Sequence, residues 1–335
     1  MSMQTKFDDD ISFKYGIEPN KRTMSELLDK GCIILDKDCG PTSHTAVENV
    51  KHILNIKKAG HSGTLDPQVS GVLIIGLGRA TRLMEYMLKS HKSYVCLMFI
   101  HKSVSKEELE SVFEQFRGEI IQTPPLISAV KRQARKRMIY ELNILETAQE
   151  NQYVLFEVKC QHGTYIRKLC TDMGEQLGVN AQMIELRRTK AGPKDENSNL
   201  INCDKLHSLY DLYKEEVEQN KSLSEEKQSH LFEQELRNYI LPMEVLLDDL
   251  KKITLRDSAI STVCHGADVG VPGVLRVDDE IELGEEVALM SGRGELIAIG
   301  VAMMSGRDIL KKEKGVAVNT QKVFMEKDKY PGSWL

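Results

Sequence analysis

The sequence predicts an α+β protein: a mixed domain of interleaved strands and helices, followed by a small β-barrel. Three observations carry that expectation. Short apolar runs rich in β-branched and aromatic residues, such as 32-CIILD-36, 94-YVCLMFI-100 and 153-YVLFEVKC-160, alternate with segments whose apolar residues recur at helical spacing. No G-x-G-x-x-G follows a strand and no G-x-x-x-x-G-K-[ST] is present, so dinucleotide and P-loop folds have no support. Beyond residue 250, 253-ITL-255, 269-VGVPGVLRV-277, 286-EVALM-290, 295-ELIAIGVAMM-304 and 316-VAVNTQKVFM-325 are short Val/Ile segments broken by glycines. Their regular spacing is that of a small barrel or sandwich of roughly 75 residues.

Residues 1–30 are polar, lack sustained periodicity and read as an arm. A strand over 32–36 and a Gly-Pro turn precede a helix over 43–55, with Thr42 or Ser43 as N-cap and apolar residues at 46, 47, 50, 53 and 54. The run 72-VLIIGL-77 reads as a buried strand, and 94–100 as another. A capping box from Ser105 to Glu108 opens a helix with Leu109, Val112, Phe113 and Phe116 on one face and Gly118 as its stop. A strand over 153–160 leads into a helix over 164–178. The polar, acidic stretch from 193 to 241 reads as a charged connector. The expected domains are therefore 31–248, with that connector inside it, and 249–326, followed by a tail over 327–335.

Composition excludes several classes. With 41% hydrophobic and 28% charged residues the chain is ordinary for a globular protein, and no apolar run is long enough to cross a bilayer. The N-terminus carries acids where a targeting signal carries Lys or Arg, so an intracellular protein is expected. Seven cysteines without a C-x-x-C argue against a disulfide framework and against a zinc site. The net charge of −5 disfavours a nucleic-acid partner only as a global sum. Five basic residues and no acid occupy 129-AVKRQARKR-137, a local patch suited to phosphates.

Candidate chemistry centres on 60-GHSGTLDP-67. Asp66 before proline is an ordinary turn residue, and no second carboxylate or His at ligand spacing makes it a metal site. A third reading is a lone carboxylate acting as nucleophile or base, on a loop whose glycines let a bulky substrate approach. In 162-HGTYIRKLCTDMG-174, Tyr165 offers a stacking surface and Arg167 a planar fork able to orient a carboxylate. Tyr94, at the start of a strand in 91-HKSYVC-96, is either core or a platform for an unstacked base. The segments 122-QTPPLISAVKRQARKRMIY-140 and 184-IELRRTKAG-192 are either solvated basic faces or tracks for a phosphate backbone.

Together, in this order and spacing, these segments resemble the TruB-type pseudouridine synthases across residues 31–192. The stretches 122-QTPPLISAVKRQARKRMIYELNILE-146, 183-MIELRRTKAGP-193 and 328-DKYPGSW-334 are more similar to the dyskerin branch, the catalytic subunits of box H/ACA ribonucleoproteins. In addition, 265-HGADVGVPGV-274 with 314-KGVAVNTQKVFM-325 resembles a PUA domain, a small RNA-binding barrel.

The resemblance implies the pseudouridine synthase fold, a mixed and largely antiparallel central sheet flanked by helices. It implies Asp66 as the catalytic aspartate, Tyr94 as the ring stacked on the target base, and Arg167 as the partner of the aspartate. Tyr165 would join them at the substrate, Leu186 would line the uracil pocket, and His61 would occupy the place of a histidine that holds an RNA stem open. Lys131, Arg132, Arg135 and Arg137, with Gly266 and Ala267 of the barrel, would contact RNA. Gln133-Ala134, Ser62 and Lys194 depart from the family's common residues, which bears on RNA contacts and not on the Asp, Tyr and Arg.

The implied activity is guide-directed isomerisation of uridine to pseudouridine in rRNA, and in tRNA, with no metal and no organic cofactor. Guide RNA, substrate RNA and small accessory proteins of the H/ACA particle are the implied partners, with no membrane. A stand-alone enzyme for tRNA uridine-55 is the alternative; a base-releasing glycosylase and a non-catalytic scaffold are more distant ones. Because the chain ends without a Lys-rich tail, an archaeal cytoplasmic protein is expected, or a nucleolar one if the source is eukaryotic.

Overall fold

A computed structural model describes residues 3–6, 14–123, 133–224 and 228–332. Two compact units result: one spans Cys32–Ile240, the other joins Met1–Gly31 to Leu241–Leu335. The stretch read as an arm thus carries structure of its own, β1 (Met3–Thr5) and α1 (Met24–Lys30). Thr23 and Glu26 cap α1 reciprocally, each accepting the other's main-chain N–H, a local signal that sits in 23-TMSE-26.

In the Cys32–Ile240 unit the strands are β2 (Gly31–Lys37), β3 (Ala59–His61), β4 (Ser70–Leu77), β5 (Lys92–Ile100), β6 (Gly118–Gln122), β7 (Arg135–Ala148), β8 (Tyr153–Cys160), β9 (Ala181–Ala191) and β10 (Lys194–Asp195). They pair in the order β2-β4-β9-β5-β8-β7-β6, with β3 on β4 and β10 on β9. Only β4 with β9 is parallel among the registers described, so the sheet is mixed and largely antiparallel, as expected. The helices are α2 (Ser43–Ile53), α3 (Met84–Lys89), α4 (Lys106–Gln115), α5 (Ile166–Gln176), α6 (Cys203–Asn220) and α7 (Leu231–Arg237). Of the two N-caps the sequence offers for α2, Thr42 is the one used, with Ser43 the first helical residue, and the Ser105–Glu108 box caps α4 as read from sequence.

Val72, Leu73, Ile74, Ile75 and Leu77 of β4 are all fully buried, which is why this run is apolar at consecutive positions instead of alternating. A second core joins β5 and β8 to α4 and α5 through Cys96, Met98, Val154, Phe156, Leu109, Phe113, Leu169 and Met173. Phe113 and Phe156 meet edge to face, ring centres 5.4 Å apart. The acidic stretch read as a connector holds α6 and α7, and Tyr210 of α6 donates from its hydroxyl to the Leu54 carbonyl at 3.1 Å.

Gly118 does not stop α4. That helix ends at Gln115, and Gly118, at φ +87°, begins β6. Gly71, where β4 leaves the Asp66 loop, adopts φ +104°, and a Cβ there would lie 2.2 Å from the Arg188 carbonyl oxygen of β9. Backbone strain and a main-chain clash coincide at this position. Gly71→Ala is therefore expected to destabilise by at least about 2 kcal/mol, read as a lowered urea midpoint at unchanged m-value.

Past β11 (Ile240–Pro242), the second unit contains β12 (Lys252–Leu255), α8 (Asp257–Cys264), β13 (Val269–Gly270), β14 (Val274–Asp278), β15 (Glu286–Met290), β16 (Leu296–Ala302), α9 (Gly306–Lys311) and β17 (Val316–Val323). These strands, with β1, form a seven-stranded sheet in the order β1-β14-β12-β15-β16-β17-β13. The run 269–277, expected as one strand, is broken into β13 and β14 by a 3₁₀ turn at Val271–Gly273, because Pro272 cannot donate to a ladder. Ile253, Val277, Val287, Leu289, Ile297 and Val318 share its core. Arg22 reaches into this unit as a buried fork, its Nη1 and Nη2 each donating to Glu244 at 2.7 Å. The N-terminal stretch is fastened by β1 on the sheet edge, by this ion pair, by the Arg293 Nε bond to the Tyr15 carbonyl at 2.8 Å and by the Lys30–Glu326 pair at 3.0 Å.

Candidate active site

Asp66 lies on the loop between β3 and β4, and that loop is held from several sides. The Val69 amide donates to the Asp66 carbonyl at 3.0 Å, closing the turn that Asp-Pro predicts, and the Gly40 amide donates to Pro67 at 2.8 Å. Ser43, in the first turn of α2, accepts from the Leu65 amide at 2.7 Å and donates to the Leu65 carbonyl at 3.1 Å. Lys37 is 1% exposed. Its Nζ donates to the carbonyls of Val69 at 2.8 Å and Asp38 at 2.9 Å, with those of Asp66 and Pro67 at 3.3 Å. Burial pushes this ammonium below its ordinary pKa, and the ring of carbonyls stands in for the water it has lost.

Arg167 comes to Asp66 from the first turn of α5. Gln122 of β6 sets the start of that helix: its Oε1 accepts from the Tyr165 amide at 2.9 Å and its Nε2 donates to the Tyr165 carbonyl at 3.1 Å. From there the Arg167 Nη2 donates to Asp66 Oδ2. The two side chains are 53% and 52% exposed. An ion pair so open to water adds no more than about 1 kcal/mol to stability, and it sets the guanidinium against one oxygen of the carboxylate.

A cavity of about 560 Å³ is lined by Asp66, Tyr94, Tyr165, Arg167 and Leu186. The sequence-predicted residues are thus gathered from a loop, from β5, from α5 and from β9. Arg135 and Arg137 line the same cavity. Arg137 is anchored by bonds from Nε to the Gly163 carbonyl at 3.0 Å and from Nη1 to the Lys136 carbonyl at 2.8 Å. His61 does not line it; this half-buried residue of β3 accepts the Gly63 amide on Nδ1 at 3.2 Å, and burial pushes its pKa down. Lys131 and Arg132 fall outside the described residues. Gly266 and Ala267 are exposed residues of the other unit. There the Thr320 hydroxyl donates to the Ala267 carbonyl at 2.9 Å.

Two cations of the cavity wall were not singled out from the sequence. Lys92 of β5 is 4% exposed, and its Nζ donates to the carbonyls of Met87, Leu88 and Ser90 within 3.0 Å. Burial, with the nearby Arg188 guanidinium, pushes its pKa down to about 7, while those three carbonyls favour the charged form. Arg188 of β9 is 1% exposed. Arg188 belongs to a basic segment that the sequence offers as a solvated face or a phosphate track, Lys92 stands beside Tyr94 at a strand start, and nothing in residue type separates a buried cation from a surface one. Among the described lining residues Asp66 is the sole carboxylate, set among Lys92, Arg135, Arg137, Arg167 and Arg188. Such a cavity attracts phosphate-bearing ligands and confronts them with a single anionic side chain.

The model of the TruB family pseudouridylate synthase N-terminal domain matches residues 51–166, and that of the tRNA pseudouridylate synthase B C-terminal domain matches 167–248. A PUA domain matches 251–324 and a DKCLD domain 1–47. The probable tRNA pseudouridine synthase B of Methanopyrus kandleri is 43% identical over 332 residues, 99% of this chain and 93% of that protein. Its counterpart in Methanocaldococcus jannaschii is 44% identical over 325 residues, 97% of this chain and 92% of that one. Among solved structures, an archaeal box H/ACA sRNP Nop10–Cbf5 complex matches with a TM-score of 0.85 at 40% identity, covering 99% of this chain and 98% of that one. An H/ACA RNP bound to a substrate RNA containing 2′-deoxyuridine matches with a TM-score of 0.85 at 41% identity, over 99% and 97% of the two chains. With a TruB synthase domain, a PUA domain and a DKCLD segment in one chain, this protein belongs to the TruB family of pseudouridine synthases, in its dyskerin branch.

Proposed function

We propose that this pseudouridine synthase isomerises uridines selected by a guide RNA, in rRNA and also in tRNA, as the catalytic subunit of a box H/ACA particle. The observation that carries the site reading is the Asp66–Arg167 pair at the mouth of a cation-lined cavity that also holds Tyr94. Guide dependence draws on the relatives at a TM-score of 0.85, which are components of H/ACA particles with Nop10, Gar1 and RNA. The accessory proteins and guide RNA of this chain would be of those kinds.

Isomerisation breaks the N1–C1′ bond, turns the uracil within the site and joins C5 to C1′. The C5 proton is then lost and N1 gains one, so no water is consumed. Asp66 acts at the sugar, either attacking C1′ as the electron pair leaves with N1 or removing the C2′ proton. Glycoside hydrolases need a second carboxylate to handle water and the leaving group; here the base never departs, and one suffices. Reaching Asp66 requires the uridine to leave its stack, at a few kcal/mol. Stacking on Tyr94 offsets roughly 1–3 kcal/mol of that. Arg135 and Arg137 at the cavity wall would hold phosphates beside the flipped nucleotide.

The curated relatives carry the name tRNA pseudouridine synthase B, which favours a second reading, unguided conversion of tRNA. One assay separates the two. The full chain is incubated with rRNA and tRNA transcripts, with and without an H/ACA guide and accessory proteins, and pseudouridine and free uracil are quantified. Pseudouridine that appears in rRNA only with the guide supports the first reading; tRNA conversion without it supports the second. Free uracil in place of pseudouridine would overturn both.

A further inference from the structure

Arg188 is one of the cations of the cavity wall, and its partners belong to two of the site's parts. A guanidinium donates five N–H groups and accepts none. Here Nε donates to the Val72 carbonyl at 2.7 Å and Nη2 donates to the Gly63 carbonyl at 3.3 Å, and the guanidinium lies beside the Tyr94 side chain, its partner in register on the neighbouring strand and a wall of the same cavity. Gly63 belongs to the loop that presents Asp66, Val72 to the strand that loop enters, and Tyr94 to β5. The reach follows from topology. Because β9 lies between β4 and β5, residue 188 is in register with Gly71 on one side and Tyr94 on the other. Close approach at Gly71, where no Cβ fits beside the Arg188 carbonyl, keeps the two strands in that register.

We propose that Arg188 is a positioning residue for the isomerisation, tying the loop of Asp66 to the ring of Tyr94 so that carboxylate and base platform keep a fixed separation. This rests on reading Asp66 as the reacting carboxylate and Tyr94 as the ring that faces the base. A lysine at 188 keeps the charge, but a point donor on a flexible stem cannot serve Val72, Gly63 and Tyr94 in the same geometry. Misplacement of reacting groups by about 1 Å is enough to cost about 10²-fold in rate.

The test is a cycle of Arg188→Lys, Tyr94→Phe and the double variant in the full chain. Single-turnover pseudouridine formation is measured under the RNA conditions that support the unsubstituted protein, alongside RNA affinity and thermal unfolding. Arg188→Lys is expected to lose about 10²-fold in rate, with RNA affinity within about threefold. Tyr94→Phe, which keeps the ring and removes the hydroxyl beside Arg188, is expected to lose about tenfold. The double variant is expected to be no slower than about threefold below Arg188→Lys alone, because both changes cut one link. An unimpaired rate in Arg188→Lys, or losses that multiply, would overturn the proposal. Should Arg188→Lys not fold, Tyr94→Phe decides: a normal rate overturns the link, and a tenfold loss at unchanged affinity and unfolding midpoint supports it. Asp66→Asn is run in parallel. Turnover there means that the reading of the site has failed, whereas an inactive Asp66→Asn beside fully active Arg188 and Tyr94 variants means that only the tie has failed.

Discussion

Asp66→Asn is expected to lower single-turnover pseudouridine formation by at least about 10⁴-fold while leaving RNA affinity within about threefold. The substitution is close to isosteric, and the bonds that hold the loop spare the side chain. The Asp66 carbonyl accepts from the Val69 amide, and Leu65 is bound to Ser43 through main-chain atoms. An asparagine oxygen can still accept from Arg167. What is lost is the negative charge and its lone pairs, and both routes at the sugar, attack on C1′ and removal of the C2′ proton, depend on them. The measurement is product formation at saturating protein beside an equilibrium binding titration on the same RNA. Turnover in this variant within tenfold of the unsubstituted protein would remove Asp66 from the chemistry.

Arg167→Lys is expected to reduce the same rate by about 10²-fold, with unfolding free energy changed by less than about 1 kcal/mol. The split follows from exposure: a pair about half open to solvent, 53% and 52%, adds little to folding. It can nonetheless decide which way the carboxylate points. Lysine keeps the charge and loses the planar fork, so a near-normal rate would show that charge alone is enough and that orientation comes from elsewhere. A large drop in the unfolding midpoint would show instead that the pair supports the fold.

What could be read from the sequence divides along the range of the forces involved. The capping box at Ser105 and the cap at Thr42 are decided within four residues and were legible. So was the fully buried β4, whose consecutive apolar residues admit few alternatives. The strand β9 was not. Its residues, AQMIELRRTKA, include four charges, and its burial follows no clean alternation, because neighbours on both sides and the cavity all impose on it. The fourteen-residue β7 begins inside the run RKR, where charge reads as loop.

In the site, Asp66 and Arg167 stand 101 residues apart, and their meeting became expected only through the family resemblance. Lys37, Lys92 and Arg188 were hidden for a different reason. A cation is buried here because carbonyl oxygens of a particular turn or strand end converge on it, and that convergence is a property of the folded backbone.

The reciprocal bond between Ser43 and Leu65 also bears on how substrate is met. The Leu65 amide is buried against a side chain of α2 and the Val69 amide against the Asp66 carbonyl, so these protons exchange with solvent only when the loop opens. Capture of RNA then has little left to order at residues 65–69. In deuterium-exchange terms the Leu65 and Val69 amides are expected to be protected before RNA arrives, and slowing of exchange at these two positions on RNA binding is expected to be small.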